Sequence, residues 1–248
     1  MSTSSNRRRT GEPRWLDGTD DDRGGRPALN RRRIVGAALA VVDDEGLAAL
    51  TIRRLAAVLD VSPMAIYTHV ADKAELIDLL VDWVTGEARI APDPALAWTE
   101  QLRSIVVAYH ETWTRHPGVV QAYVAAAADA RGTATGPNAI LQAEQVLSIL
   151  DRAGFPPETQ VQVFMTIYRF IRGTLGMAPT RLDALDADVA SAEDLDLLIQ
   201  RFFGGVDPAT VPTFVAAVPH MGSDDSGSFD FALDVMIAGL SAVLGPGR

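Results

Sequence analysis

The sequence contains no cysteine, and Lys73 is its only lysine. Without cysteine the chain forms no disulfide, no thiolate zinc site and no cysteine nucleophile, which excludes several classes of enzyme. The longest apolar run, from Ile34 to Val42, is far shorter than the roughly 20 residues that a membrane-spanning helix needs. Polar residues follow the basic stretch Arg7 to Arg9, so this stretch does not begin a signal peptide. We therefore expect a folded protein of the cytoplasm.

Common catalytic and metal-binding motifs are also missing from the sequence. It has no HExxH zinc motif, no GxSxG elbow, no phosphate-binding P-loop and no GxGxxG dinucleotide motif. The four histidines do not have the spacing of metal ligands: His69, His110, His116 and His220. We therefore expect no catalytic residues, no bound metal and no cofactor, and an enzyme is the least favoured class.

The acidic charge of the chain is unevenly distributed. The formal net charge is −10, but residues 1–90 hold 13 basic and 14 acidic residues, which leaves 9 basic and 18 acidic residues for the remainder. Within the first part, basic residues bunch at Arg31 to Arg33, at Arg53 and Arg54, and at Lys73. This bunching is compatible with a local positive face, and equally with ordinary solvated arginines.

Apolar spacing predicts helices throughout, and no alternating strand pattern or internal repeat occurs. Residues 1–28 lack any apolar period and are predicted to be a disordered tail. After the Pro-rich segment 91–94 the helices become longer, so we predict a first folded domain over residues 29–90 and a second over 91–248. The fold class is therefore all-α, with an N-terminal three-helix domain and a larger helical domain.

Two short capped helices between Thr51 and Val70 meet the physical requirement for a helix-turn-helix. Thr51 caps the first; Ser62 caps the second, where Pro63 occupies the first helical position. Ile66 and Val70 are predicted to face inward. The residues left facing outward, toward DNA, are Pro63, Met64, Ala65, Tyr67, Thr68 and His69. This pattern alone also occurs in ordinary helical hairpins.

The residues themselves make the interpretation more specific. The run from Leu50 to Leu76, LTIRRLAAVLDVSPMAIYTHVADKAEL, resembles the DNA-binding signature of the tetracycline-repressor (TetR) family, and the resemblance extends over residues 29–83. It implies that Arg53 reads a base, with guanine as a bidentate partner. It also implies backbone-phosphate contacts from Tyr67, His69 and Lys73 and base-edge contacts from Met64, Ala65 and Thr68. Ser62 and Pro63, at the start of the second helix, complete the candidate DNA contacts.

This sequence departs from the family pattern in two places. Asp60 stands where the turn usually has glycine, and Met64 and Ala65 replace more polar base-reading residues. We therefore expect base recognition to depend on apolar contacts to thymine methyl groups, and the operator to differ from those of relatives.

The C-terminal part carries two helices that are apolar on two faces, over residues 161–177 and 229–244. The second, FDFALDVMIAGL from Phe229, resembles the last helix of TetR-type regulatory domains. In that family the last helix pairs with the helix that ends the ligand-binding core. These two helices from each subunit form a four-helix dimer interface. The resemblance thus implies a homodimer on a palindromic operator, with half-sites roughly 34 Å apart. The alternative is that both helices are central in a monomer.

The resemblance further implies a small-molecule effector held in a cavity among the fifth to eighth helices. The candidate contacts combine apolar walls with polar tips: Tyr109, His110, Trp113, Met165, Tyr168 and Arg169. An aromatic stripe at helical spacing is also typical of a plain core. The sequence thus predicts a ligand-responsive DNA-binding regulator, a repressor by family analogy, that shifts between two conformations. The alternative is a helix-turn-helix regulator whose C-terminal domain binds a protein partner.

Overall fold

The computed structural model describes residues 28–128, 136–176, 206–217 and 225–244. These residues contain ten α-helices, two short 3-10 turns and no strand, which confirms the all-helical prediction. The predicted tail lies outside the described residues except for its last position. The helices are α1 (Arg31–Glu45), α2 (Ile52–Leu59), α3 (Pro63–Tyr67), α4 (Lys73–Glu87), α5 (Trp98–Thr114), α6 (Pro117–Ala128), α7 (Pro137–Arg152), α8 (Pro157–Gly176), α9 (Pro212–Ala217) and α10 (Asp225–Leu244).

Side-chain caps begin each of the first four helices. Asn30 accepts a hydrogen bond from Arg33 N, at 2.8 Å, and Thr51 from Arg54 N, at 3.1 Å. Ser62 and Asp72 do the same for α3 and α4, at 3.2 and 2.9 Å. Each cap satisfies a backbone N–H that has no partner within its own helix. Short helices such as the five-residue α3 therefore begin at fixed residues.

Asp60 makes the sharp turn between α2 and α3. Its φ of 52° and ψ of 54° lie in the left-handed region, the conformation that glycine adopts most readily. Aspartate tolerates this region better than most residues do. The turn thus keeps the geometry of a glycine turn although the sequence departs from the family there.

One hydrophobic core joins the first four helices to α5 and α6. It holds apolar side chains of α1 to α4 together with Trp113 of α5 and Val119 and Val120 of α6. Helix α4 packs against α5, α6 and α7, and α1 packs against α6. A displacement of α6 therefore acts on both α1 and α4, because close-packed interiors transmit strain.

The described residues fall into two compact units, one ending at Leu175 and the other beginning at Gly176. The second unit contains α9 and α10. Within α10, Phe229 and Leu233 are buried, whereas Phe231, Val235 and Val243 are 72, 56 and 66 % exposed. Helix α10 thus keeps an apolar face in contact with solvent. No helix among the described residues is both long and apolar enough to cross a membrane.

Candidate nucleic-acid interface and aromatic cluster

Helix α3 and its flanks present a continuous set of exposed side chains. Ile66 and Val70 are 0 and 1 % exposed, as predicted, and they fix which side of the segment faces the core. Met64 is 72 % and Tyr67 49 % exposed. Ser62, Pro63, Thr68 and Lys73 are also exposed, while Ala65 and His69 are half-buried. Eight of the nine predicted DNA contacts thus lie in one short segment, and the ninth is Arg53 on the exposed side of α2.

Two neighbouring arginines of α2 have different surroundings. Arg54 forms a bidentate ion pair with Glu45, with Nη2 to Oε1 at 2.6 Å, and the hydrogen bond from Arg54 lowers the pKa of the Glu45 carboxyl. Arg53 is exposed and makes no hydrogen bond or ion pair within the described part of the chain. The guanidinium of Arg53 is therefore available to bind an acceptor outside the chain, whereas the charge of Arg54 is neutralised by Glu45.

The C-terminal end of α3 is held by Arg31 of α1. Arg31 Nε donates to the carbonyl oxygen of His69 at 2.8 Å, and Arg31 Nη2 pairs with Glu75 Oε1 at 2.9 Å. The other Glu75 oxygen accepts from Ala71 N at 2.6 Å. In the sequence, Arg31 was seen only as part of a basic bunch. Nothing local to Arg31 indicates that it reaches a carbonyl 38 residues away.

The second candidate site is a group of aromatic side chains around one arginine, here called the aromatic cluster: Tyr109 and Trp113 of α5, Tyr123 of α6, and Phe164, Tyr168 and Arg172 of α8. The rings of Tyr109 and Trp113 stack at 5.7 Å between centroids, and Trp113 and Tyr123 lie 5.4 Å apart. Phe164 and Tyr168 stack at 6.3 Å. Three helices thus contribute rings to the cluster.

Hydrogen bonds and the arginine link α6 to α8 within this cluster. The hydroxyl groups of Tyr123 and Tyr168 are 2.5 Å apart, and Arg172 Nη1 donates to the Tyr168 hydroxyl oxygen at 3.2 Å. The guanidinium of Arg172 lies 4.8 Å from the ring centre of Tyr123 and 5.4 Å from that of Tyr168. Burial raises the pKa of both Tyr109 and Tyr123, so these phenols stay neutral near pH 7.

Three of the six predicted effector contacts belong to this cluster: Tyr109, Trp113 and Tyr168. The other three lie near it in sequence: Met165 and His110 are half-buried and Arg169 is exposed. The predicted contacts did not include the other three members of the cluster, Tyr123, Phe164 and Arg172. Arg172 follows Tyr168 by four residues, which places both on one helix face, so helical spacing was the signal that could have found it.

Two polar links connect α1 and α4 to later helices. The buried carboxylate of Asp82 in α4 accepts hydrogen bonds from Asn138 N and Nδ2 of α7, at 2.9 and 2.7 Å. His116, which precedes α6, lies with Nδ1 2.8 Å from Asp43 Oδ2 and with Nε2 3.3 Å from Glu87 Oε2. The ends of α1 and α4 are therefore tied to α6 and α7 by specific contacts as well as by packing.

Comparisons with known proteins find matches to both the N-terminal and the C-terminal part of the chain. Residues 34–80 match the family model for bacterial regulatory proteins of the tetR family, and residues 91–244 match the model for the tetracyclin repressor-like C-terminal domain. An HTH-type transcriptional regulator of Saccharopolyspora erythraea is 26 % identical over 220 residues, which are 89 % of this chain and 88 % of the relative. The HTH-type transcriptional repressor DrrR1 of Streptomyces coeruleorubidus is 31 % identical over 66 % of this chain and 59 % of its own length.

Solved structures give the same result. The crystal structure of the TetR family protein ActR of Streptomyces coelicolor in complex with (S)-DNPA has a TM-score of 0.67 and 26 % identity, and covers 86 % of this chain and 98 % of ActR. ActR in complex with actinorhodin has a TM-score of 0.67 and 25 % identity, with 88 and 99 % of the two chains covered.

Proposed function

The chain belongs to the TetR family of bacterial transcriptional regulators, and we propose that it is a homodimeric repressor that a small-molecule effector releases from a palindromic operator. Residues 29–90 form the DNA-binding domain, and residues 91–248 form the domain that binds the effector and a second subunit. Such a regulator acts on DNA in the cytoplasm, and no enzymatic step is part of the proposal. The observation that carries it is the outward face of α2 and α3.

DNA binding by this face follows from its geometry. A helix whose N-terminal half is exposed can enter the major groove, and Met64 and Tyr67 are the most exposed large side chains of α3. Arg53, without an intramolecular partner in the described residues, supplies guanine recognition from α2. Tyr67, His69 and Lys73 then fix the register through the phosphate backbone. Lys73 stands in the first turn of α4, where a positive charge is unfavourable unless an anion such as phosphate is near.

Effector binding at the aromatic cluster supplies the means of release. The cluster lies on α5, α6 and α8, and α5 and α6 pack against α4. An effector that favours a different placement of α6 therefore changes the position of α4, which follows directly after the recognition helix. The ligand lowers operator affinity by its preference for that second state. Operator DNA must then weaken effector binding by the same factor.

The proposal is tested by titrating the purified full-length protein against the intergenic DNA beside its own gene, at two salt concentrations. We expect saturable, salt-sensitive binding. Arg53→Ala should weaken it by about 100-fold or more, because the dimer loses one bidentate base contact, worth about 1–3 kcal/mol, in each half-site. Arg54→Ala is the matched control: it removes an arginine whose charge is already paired, so it should change the affinity far less.

Equal affinity for intergenic and random DNA would overturn the proposal. It would favour instead a helix-turn-helix protein whose helical domain engages a protein partner. Equal losses for Arg53→Ala and Arg54→Ala would show that only net charge matters and that α2 reads no base.

A further inference from the structure

The chemistry of the effector can be inferred from the aromatic cluster. This inference rests on the proposed function of the cluster as the effector site. Three rings form a continuous series, from Tyr109 through Trp113 to Tyr123, and the stack of Phe164 on Tyr168 adds a second aromatic surface. Aromatic side chains bind flat aromatic compounds in offset-stacked or edge-to-face arrangements. The rings therefore favour a planar, unsaturated ligand over a flexible aliphatic one.

The charge of the cluster favours an anion. Arg172 has no ion pair with a carboxylate in the part of the chain that the structure describes, and its charge rests on the ring faces of Tyr123 and Tyr168. A guanidinium carries five N–H donors, and here one of its nitrogens donates to the Tyr168 hydroxyl oxygen. The neutral phenols of Tyr109 and Tyr123 add no negative charge. The site thus offers a single positive charge with donors left for an oxygen anion.

An unpartnered donor lies beside this charge. Trp113 is 2 % exposed, and among the residues that the structure describes its indole N–H has no hydrogen-bond partner within 3.5 Å. Buried donors without an acceptor are rare, and each is expected to have a reason. The ring of Trp113 contacts both Tyr109 and Tyr123, so an acceptor oxygen on a ligand within the cluster would satisfy this N–H. A ligand with two oxygen functions, one anionic and one neutral, would meet Arg172 and Trp113 together.

We propose that the effector is a planar polycyclic aromatic acid, in which the ring system stacks in the aromatic cluster, an ionised oxygen group pairs with Arg172, and a carbonyl or hydroxyl oxygen accepts from Trp113 Nε1. The carboxylate of a fused-ring quinone is a simple compound with all three features. An aliphatic compound lacks the flat ring system, and a cationic compound lacks the anionic oxygen. The aromatic cluster therefore selects its ligand by the sign of the ligand's charge as well as by its shape.

Isothermal titration of the full-length protein with two matched probes tests the proposal. The probes are anthraquinone-2-carboxylate and anthraquinone-2-carboxamide, which share the ring system and differ in charge. The wild-type protein should bind the carboxylate about 10-fold or more tightly than the amide, since hydrogen bonds to charged groups are the stronger ones. Arg172→Met should lose this preference, and Arg172→Lys should keep part of it. Trp113→Phe should weaken both probes, because both carry quinone oxygens.

A control and an independent readout separate the possible failures. Arg152→Met removes an arginine outside the cluster and should bind both probes as the wild type does. Circular dichroism shows whether each variant is folded. Equal affinity for the two probes, binding of neither by the wild type, or an unchanged preference in Arg172→Met would overturn the assignment of an aromatic acid. The intergenic DNA titration on the same preparation reports separately on the proposed function: DNA binding without probe binding rejects the ligand class alone.

Discussion

At the scale of single residues, Met64 is the most distinctive position of the recognition helix. Its side chain is 72 % exposed, so this large apolar residue adds little to the core. A thioether can neither donate a hydrogen bond nor accept one strongly. In the major groove its natural partner is the methyl group of thymine. Met64 therefore suits an operator with thymine near the contact made by the start of α3.

This contact can be tested by replacing thymine with deoxyuridine in the operator, one position at a time. Deoxyuridine lacks only the 5-methyl group. We expect one position in each half-site to lose about 3- to 5-fold in affinity, the value of one buried methyl group. Fluorescence anisotropy with labelled duplexes measures the change.

Met64→Ala should bind the thymine and deoxyuridine duplexes equally at that position. If the wild-type protein binds every deoxyuridine duplex as tightly as the parent, Met64 does not read thymine.

At the scale of helices, the junction of α4 with α7 depends on one buried carboxylate. Asp82 is 2 % exposed, and Asn138 donates to it from both its backbone N and its Nδ2. Gly86 and Gly136 lie so close that a Cβ on either would collide with Asn138 or Asp82. Asp82→Ala leaves two buried donors without an acceptor, so we expect it to lower the free energy of unfolding by about 2–3 kcal/mol. Urea unfolding of both proteins measures the loss.

The same carboxylate gives a pH dependence of defined sign. Burial raises the pKa of Asp82 above its ordinary value of 3.8, and the hydrogen bonds from Asn138 oppose the rise. A group that binds its proton more tightly when folded adds stability as the pH falls through the raised pKa toward 3.8. The stability of the wild-type protein relative to Asp82→Ala should therefore increase over that range. Parallel pH profiles for the two proteins would contradict this assignment.

A second link between helices is the histidine before α6. His116 is flanked by Asp43 at the end of α1 and Glu87 at the end of α4, and its side chain is 13 % exposed. Both ring nitrogens can donate only when the ring is protonated. A double-mutant cycle of His116→Ala and Asp43→Ala should give a coupling of about 1 kcal/mol in the free energy of unfolding. As a control, the effects of Asp44→Ala and His116→Ala on the free energy of unfolding should be additive, because Asp44 is the exposed neighbour. If the effects of Asp43→Ala and His116→Ala are additive as well, the contact between Asp43 and His116 contributes nothing to stability.

These elements differ in how far the sequence predicts them. Helix starts followed from local rules, because Thr51, Ser62 and Asp72 act on backbone three residues away. The exposed face of α3 followed from the burial of Ile66 and Val70. The links from Arg31 to His69, from His116 to Asp43 and from Tyr123 to Tyr168 join residues 38, 73 and 45 positions apart. Periodicity carries no information on such pairs, because they depend on how the helices pack.

At the scale of the whole molecule, the exposed apolar face of α10 agrees with a dimeric regulator. Phe231 is 72 % exposed, and large exposed apolar patches mark interaction surfaces. In an isologous dimer each substitution occurs twice, so Phe231→Glu places two charges in the interface. We expect this variant to sediment as a monomer at concentrations where the wild type is a dimer.

Loss of the dimer should also weaken operator binding, because a monomer presents only one recognition helix. Ile140→Glu is the matched control, since Ile140 of α7 is 61 % exposed but lies away from α10 in the sequence and in another unit. A Phe231→Glu protein that stays dimeric would exclude α10 from the subunit interface.

The central claim is that two copies of α3 read one palindromic site. Hydroxyl-radical footprinting on the intergenic DNA tests it most directly. The account predicts two protected blocks of similar sequence and opposite orientation, with centres one or two helical turns of about 10 base pairs apart, and the loss of both blocks in Arg53→Ala. A single protected block, or uniform weak protection without sequence preference, would contradict it.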